Sequence, residues 1–224
     1  MNQQIPSPST TKKYKVLIVE DHPITRRGLV ELIAMEPDME VCGEAAGMAE
    51  AIKQIEAVCP DVAIIDISLK DGNGLELIEH IKANHIDLNI LVFSVHDELL
   101  FAERSIRAGA LGYINKQEST ENLLNAIRQV MHHEIYLSAR MANRLMYSLA
   151  SRPSDIDPIK TLSNREMEVF ELLGQGLSTQ QIANKLKLSI KTIKSHQEKI
   201  IGKMDMKNCR ELYRCAMQRN LEIS

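Results

Sequence analysis

The sequence predicts an α/β doubly wound, five-stranded parallel sheet followed by a small all-helical unit. Three observations carry this. Short β-branched apolar runs alternate with helix-length amphipathic stretches through the first part of the chain. A stretch rich in Pro, Ser and Asp at 151–158 then interrupts the pattern. The charge changes sign across that break, with 15 Lys and Arg against 23 Asp and Glu in 1–159, and 12 against 7 in 160–224. The expected organisation is a disordered tail at 1–13, an α/β domain at 14–135, a linker at 136–159 and a helical domain at 160–224.

Composition sets the outer bounds. With 224 residues, 44% hydrophobic and 25% charged, the chain is long enough for two packed domains and is neither fibrous nor largely disordered. No apolar run reaches the roughly 18 residues of a membrane span, and the first 13 residues are polar, so a soluble, cytoplasmic protein without a membrane partner is expected. Cys42, Cys59, Cys209 and Cys215 occur singly, with no C-x-x-C pair, and read as reduced thiols.

Strands are expected at 14–19, 41–43, 62–65, 90–93 and 112–114. Helices are expected at 24–35, 48–58, 75–83, 98–108 and 121–132, each with apolar residues at three- and four-residue spacing. A parallel connection must cross the sheet, and here a helix fills every crossing. Ligands of such sheets bind beyond the carboxyl ends of the strands. The residues there are polar: Glu20 and Asp21 after the first strand, Asp66 after the third, Ser94 after the fourth and Lys116 after the fifth.

Acidic residues after strands often serve only as helix caps, and a lone lysine usually marks a solvated loop. Five polar groups at the ends of four strands are harder to reach by accident. Three crowded carboxylates repel one another unless a cation joins them, and their hard oxygens suit Mg²⁺. A carboxylate facing that ion can attack a phosphoryl group, with Lys116 countering the oxygen charge and the Ser94 hydroxyl donating a hydrogen bond. Asp66 is the expected nucleophile. His22, directly before Pro23, reads as structural or solvated.

In the basic unit, Ser163 with Glu166 and Ser178 with Gln181 each satisfy a capping box, and Gly174-Gln175-Gly176 separates them. Helices are expected at 165–173, 179–185 and 191–204, a helix-turn-helix in outline. On the third, Ile193, Ile200 and Met204 form an apolar stripe, while Lys191, Lys194, Ser195 and Glu198 share another face. Such a face can enter the major groove, where lysine reaches guanine acceptors and Thr192 or Ser178 can meet phosphates, with Thr179 beside them. A solvated surface helix has the same composition, so the residues alone leave both readings open.

Two runs of motifs resemble known families. Val16-Leu17-Ile18-Val19-Glu20-Asp21-His22-Pro23, Asp61-Val62-Ala63-Ile64-Ile65-Asp66-Ile67-Ser68, Asn73-Gly74-Leu75-Glu76 and Ala108-Gly109-Ala110-Leu111-Gly112-Tyr113-Ile114-Asn115-Lys116 resemble the CheY-like receiver of two-component response regulators in the NarL/FixJ branch. Leu162-Ser163-Asn164-Arg165-Glu166-Met167-Glu168-Val169, Gly176-Leu177-Ser178, Ile182-Ala183, Leu188-Ser189 and Lys191-Thr192-Ile193-Lys194-Ser195-His196 are similar to the LuxR-type helix-turn-helix. The first resemblance implies that Asp66 takes a phosphoryl group from a sensor histidine kinase. It further implies that Glu20, Asp21, Asp66 and the backbone carbonyl of Ser68 hold Mg²⁺, and that Ser94 and Tyr113 act as switch residues. The second implies binding to double-stranded DNA, with Lys194 and Ser195 at base edges, Lys191 and Thr192 near the backbone, and a final helix at 209–220 that can pair two copies.

The chain departs from these patterns at Leu69-Lys70, where Met-Pro is common, at Glu20, where Asp is common, at Glu198, where some members carry Lys, and at Cys209-Arg210, where Arg-Thr is commoner. The expected function is transcription regulation in a two-component system, switched by Mg²⁺-dependent phosphorylation of Asp66 and accompanied by homodimer formation. On this reading the chain is a switch rather than a metabolic enzyme, accepting and slowly hydrolysing its own aspartyl phosphate at most. Lys70 keeps an alternative open: a phosphorylation-independent regulator whose receiver is a protein-interaction domain. A phosphohydrolase is disfavoured because Asp66-Ile67-Ser68 lacks the second Asp of a D-x-D signature.

Overall fold

A computed structural model describes residues 13–84, 87–150 and 158–223. The expected tail at 1–13 lies outside these residues except for Lys13, and so does the 151–157 part of the expected linker. The α/β part runs β1 (Tyr14–Val19), α1 (Pro23–Ala34), β2 (Met39–Ala45), α2 (Met48–Val58), β3 (Val62–Ile65), a hairpin of β4 (Ser68–Leu69) and β5 (Gly72–Asn73), α3 (Gly74–Asn84), β6 (Asn89–Ser94), α4 (Glu98–Ala108), β7 (Gly112–Asn115) and α5 (Thr120–Met131). The helical part comprises α6 (Ala139–Ala150), a 3-10 turn (Pro158–Thr161), α7 (Asn164–Gly174), α8 (Thr179–Lys185), α9 (Ile190–Lys203) and α10 (Cys209–Ile223).

Five strands form one sheet in the order β2-β1-β3-β6-β7, every adjacent pair parallel. The chain winds outward from β1 to β2, returns to β3, and then winds the other way. Strand order therefore reverses between β1 and β3, which is where such sheets open a crevice at their carboxyl edge.

Alternating side chains separate two cores. Val16, Ile18, Ile64, Leu91 and Ile114 face α1 and α5, where Leu29, Ile33, Leu123 and Ile127 are buried. Leu17, Val19, Ala63, Ile65, Ile90 and Val92 face the other side, packing with Ile55, Leu77, Ile78 and Phe101. The second core continues through Ile159 and Leu162 into Met167, Phe170 and Ile193 of the helical unit, so one apolar body spans both parts.

Local signals explain the helix ends. Pro23 opens α1, where its missing amide costs nothing. Asp97 caps α4 by accepting from the Leu99 amide, and Gly109 closes that helix at φ +110°, a left-handed conformation that favours glycine. Both predicted capping boxes form, at Ser163/Glu166 and Ser178/Gln181. The segment 136–159, expected as a linker, contains a helix, since 139–150 forms α6. The Pro/Ser/Asp break begins only at 151, and no Gly or Pro interrupts the stretch before it. Ser138 anchors the start of α6 through its hydroxyl to Glu98 Oε2 at 2.7 Å, and Met141 is buried.

Gly74 fixes the loop that carries Asp66. Its amide donates to Ile67 O at 2.6 Å, and a Cβ here would stand 2.0 Å from the Asp66 carbonyl oxygen and 2.9 Å from Ile67 Cα. Both obstacles are backbone and cannot swing away. Gly74→Ala is expected to destabilise the chain by about 1–3 kcal/mol in urea unfolding.

Candidate functional site

The acidic pocket is assembled by the sheet edge. Glu20 and Asp21 follow β1 directly, Asp66 follows β3, and Lys116 follows β7 with its amide held by Ser94 O at 2.9 Å. Glu20 is 1% exposed and Asp66 2%. Lys116 Nζ donates to Glu20 Oε2 at 2.6 Å and to Asp66 Oδ2 at 2.8 Å, with the Phe93 ring 5.7 Å away. Burial and the neighbouring Asp66 charge raise the Glu20 carboxyl above its ordinary value against the pull of Lys116. Burial opposes the charge on Lys116, yet Asp66 and Glu20 together hold its pKa above the ordinary value.

Two carboxylate oxygens of the pocket have no hydrogen-bond partner. Asp66 Oδ1 is buried without a hydrogen bond, and so is Asp21 Oδ1. His22 Nδ1 lies 2.8 Å from that Asp21 oxygen, but the orientation makes no hydrogen bond. One ligand atom from each of Glu20, Asp21, His22 and Asp66 falls within a group 4.8 Å across. Three carboxylates and an orphaned, buried oxygen form a donor set that suits a hard divalent cation such as Mg²⁺. His22, read from the sequence as structural or solvated, stands at the rim of this group.

The remaining predicted residues of this site lie close by. Ser94 is fully buried, and its Oγ faces the His96 amide at 3.5 Å. Tyr113 already lies inside, its hydroxyl donating to His96 O at 2.8 Å, and burial raises its pKa well above the ordinary value. Ser68 lines the pocket wall.

The helical unit covers this pocket. Arg165, Lys185 and Lys187 line the same cavity of about 430 Å³ as Asp21, Asp66 and Lys116. The seam is polar and, in part, deeply buried. His96 is 3% exposed and Glu168 0%. His96 Nδ1 meets Glu171 in a very short contact, while its Nε2 lies 2.9 Å from Ser68 Oγ and 3.8 Å from Glu168 Oε1. The Asp97 amide donates to Glu171 Oε1 at 2.7 Å. Arg104 donates to the carbonyls of Leu162 and Ile159 at 2.8 and 2.9 Å. Sequence reasoning missed this network, since nothing in the spacing of Glu168 and Glu171 along α7 marks them as partners of a histidine 70-odd residues earlier.

The predicted DNA face is open. Lys191, Lys194, Ser195 and Glu198 are exposed together on α9, and Ile193, Gln197 and Ile200 are buried on its opposite side. Thr192 is half-buried, with Oγ1 2.7 Å from Ser189 Oγ. Ser178 uses its hydroxyl in the α8 cap. Thr179 Oγ1 accepts from Gln197 Nε2 at 3.3 Å and lies 3.4 Å from Tyr213 OH, so it is engaged inside the module rather than offered outward. Among the described residues no helix is long and apolar enough to cross a membrane.

His96 ties the seam to pH. Burial works against its charge, but Glu171, Glu168 and Asp66 together raise its pKa above the ordinary 6.5. Its stabilisation is therefore full below pH 6.5 and is lost as pH rises through the folded-state value. Above 6.5, His196, which burial holds below that value, is already neutral. The thermal midpoint of the full chain is expected to fall as pH rises from 6.5, and His96→Gln to flatten that dependence.

Comparison with known proteins yields two family matches. Residues 16–128 match the response regulator receiver domain, and residues 160–216 match the bacterial regulatory proteins of the luxR family. The chain is 36% identical over 194 residues to the DNA-binding transcriptional activator DevR/DosR of Mycobacterium tuberculosis, covering 86% of this chain and 88% of that one. It is 32% identical over 194 residues to the nitrate/nitrite response regulator NarL of Escherichia coli, covering 86% and 90%. Among solved structures, RcsB from Salmonella enterica serovar Typhimurium, bound to promoter rprA in the presence of phosphomimetic BeF3−, matches with TM-score 0.62 and 25% identity, over 91% of this chain and 98% of that one.

Proposed function

Since the chain belongs to the two-component response regulators that join a receiver to a luxR-family DNA-binding module, we propose that Asp66 is its phosphoacceptor, that a sensor histidine kinase is the donor and that the phosphorylated chain binds DNA as a dimer. The observation that carries this is the Asp66 carboxylate. Lys116 holds Oδ2, and Oδ1 is buried without a hydrogen bond.

That asymmetry suits nucleophilic attack. Asp66 Oδ1 forms the new bond to phosphorus while the phosphorus–nitrogen bond of a phosphohistidine breaks and the departing imidazole nitrogen takes up a proton. Lys116 supplies positive charge to the incoming oxygens, and the Ser94 hydroxyl would donate to one of them. Glu20, Asp21, Asp66 and the Ser68 carbonyl would hold Mg²⁺, which when bound neutralises charge on the phosphoryl oxygens. The receiver's catalysis ends there. It accepts the group and slowly hydrolyses its own aspartyl phosphate.

Intact mass of the full chain after incubation with Mg²⁺ and acetyl phosphate tests the first step. One added phosphoryl group, lost in Asp66→Ala and accompanied by dimer elution, is the expected result. No addition to a folded chain would favour the alternative in which the receiver is only a protein-interaction domain.

The open face of α9 supports the DNA part. Lys194 and Ser195 would meet base edges, Lys191 and Thr192 the backbone, and Glu198 would bias which bases are accepted. Ser178 contributes from the start of α8, whereas the inward hydroxyl of Thr179 speaks against a contact there. Lys191→Ala should weaken binding to duplex DNA of any sequence and reduce the slope of log affinity against log salt by about 1, measured by fluorescence anisotropy across a salt series.

A further inference from the structure

We propose that Lys187 is a tethered counter-cation that competes with Mg²⁺ for Asp21, so that metal loading of the receiver pocket and docking of the DNA-binding unit oppose each other. The inference rests on the reading that the pocket holds Mg²⁺. Lys187 belongs to the turn between α8 and α9, where it takes a left-handed backbone conformation at φ +55°. That conformation is uncommon for a residue with a side chain. From there Nζ reaches Asp21 Oδ2 at 2.5 Å, across 166 residues of sequence. Asp21 is otherwise nearly closed off, its side chain 6% exposed and its second oxygen without a hydrogen bond.

The charges divide cleanly. Lys116 serves Glu20 and Asp66, and the third carboxylate, Asp21, takes its cation from the other domain. A divalent ion drawing on Asp21 would share one carboxylate with an ammonium a few ångströms away, and like charges that close in a partly desolvated cavity exclude one another. Binding that favours the undocked Lys187 is, by reciprocity, weakened by docking. Of the other seam contacts, Arg104 with the carbonyls of 159 and 162 is remote from the metal set, and His96 and Glu168 reach it at the Ser68 hydroxyl, not at a carboxylate. Among the described residues, Lys187 is the cation of the helical unit that pairs with a carboxylate of that set. It also lies two residues ahead of the Ser189 cap of α9.

Calorimetric titration of the full chain with MgCl₂ at fixed ionic strength tests this, comparing wild type, Lys187→Gln, Lys185→Gln and Asp21→Asn. Lys185 lines the same cavity but forms no ion pair there among the described residues, and so reports the general loss of a positive charge. Lys187→Gln is expected to bind Mg²⁺ about two- to fivefold tighter than wild type, with Lys185→Gln unchanged and Asp21→Asn much weaker. In parallel, acetylation of wild-type Lys187 by a limiting amine reagent, followed by peptide mass spectrometry, should quicken when Mg²⁺ is added while that of Lys185 does not. Equal Mg²⁺ affinity in wild type and Lys187→Gln, an equal gain in Lys185→Gln, or Mg²⁺-insensitive labelling would overturn the competition and leave the metal reading intact. No binding heat in wild type or Lys187→Gln would overturn both.

Discussion

Two buried carboxylates and one buried ammonium at the carboxyl edge of the sheet are the constraint on which the rest depends. Glu20 and Asp66 face each other where water cannot relieve their repulsion, and Lys116 is the cation that makes the arrangement tolerable. Each is delivered by a different strand, so the geometry holds only while β1, β3 and β7 stay in register around β6. The continuous apolar strands supply that rigidity by burying both faces of the sheet. The close approach of Gly74 to the Asp66 carbonyl sets where the third strand ends. Lys116 satisfies only one oxygen of Asp66 and leaves the other buried without a hydrogen bond.

The helical unit sits over this edge and adds ionic contacts of its own. Its docking surface is α7 and the turn after α8, rather than the outer face of α9. Lys191, Lys194, Ser195 and Glu198 consequently remain exposed while the seam is closed. The residues most committed to the seam, Glu168, Glu171 and Lys187, lie outside the exposed face of α9. Docking therefore bears on the acidic pocket directly, through charge and cover.

The sequence made the α/β fold readable because the signals are local. β-branched runs at 14–19 and 62–65 and Pro23 mark their elements without reference to anything distant, and the acidic residues follow strands whose ends the periodicity locates. Capping boxes at Ser163 and Ser178 are local in the same way. What escaped depends on how two folded units meet. His96, Glu168 and Glu171 look like solvated polar residues until the domains dock and bury them together, and Lys187 has no local feature that points to Asp21. Thr179, read from the sequence as one of the DNA-binding residues, has its hydroxyl beside Gln197 and Tyr213, contacts that no local signal announces. Helix α6 went unread because the Pro/Ser/Asp-rich stretch at 151–158 led the whole segment around it to be read as a linker without a helix of its own.

A seam built from buried ions behaves differently from one built from apolar contact alone. Desolvating His96, Glu168 and Glu171 is costly, and their mutual attraction offsets that cost only while the short contacts are kept. Small displacements therefore change the balance steeply, whereas an apolar interface loses stability in proportion to the area exposed. The ionic part of this seam runs from Ser68, on the wall of the pocket, through His96 to Glu171 on α7, and His96 also accepts the Tyr113 hydroxyl at its carbonyl. His96 is the member of this chain of contacts whose pKa the Asp66 charge also helps to raise, after Glu171 and Glu168. Steep response and closeness to the acidic pocket are the physical properties a two-state coupling between the domains requires.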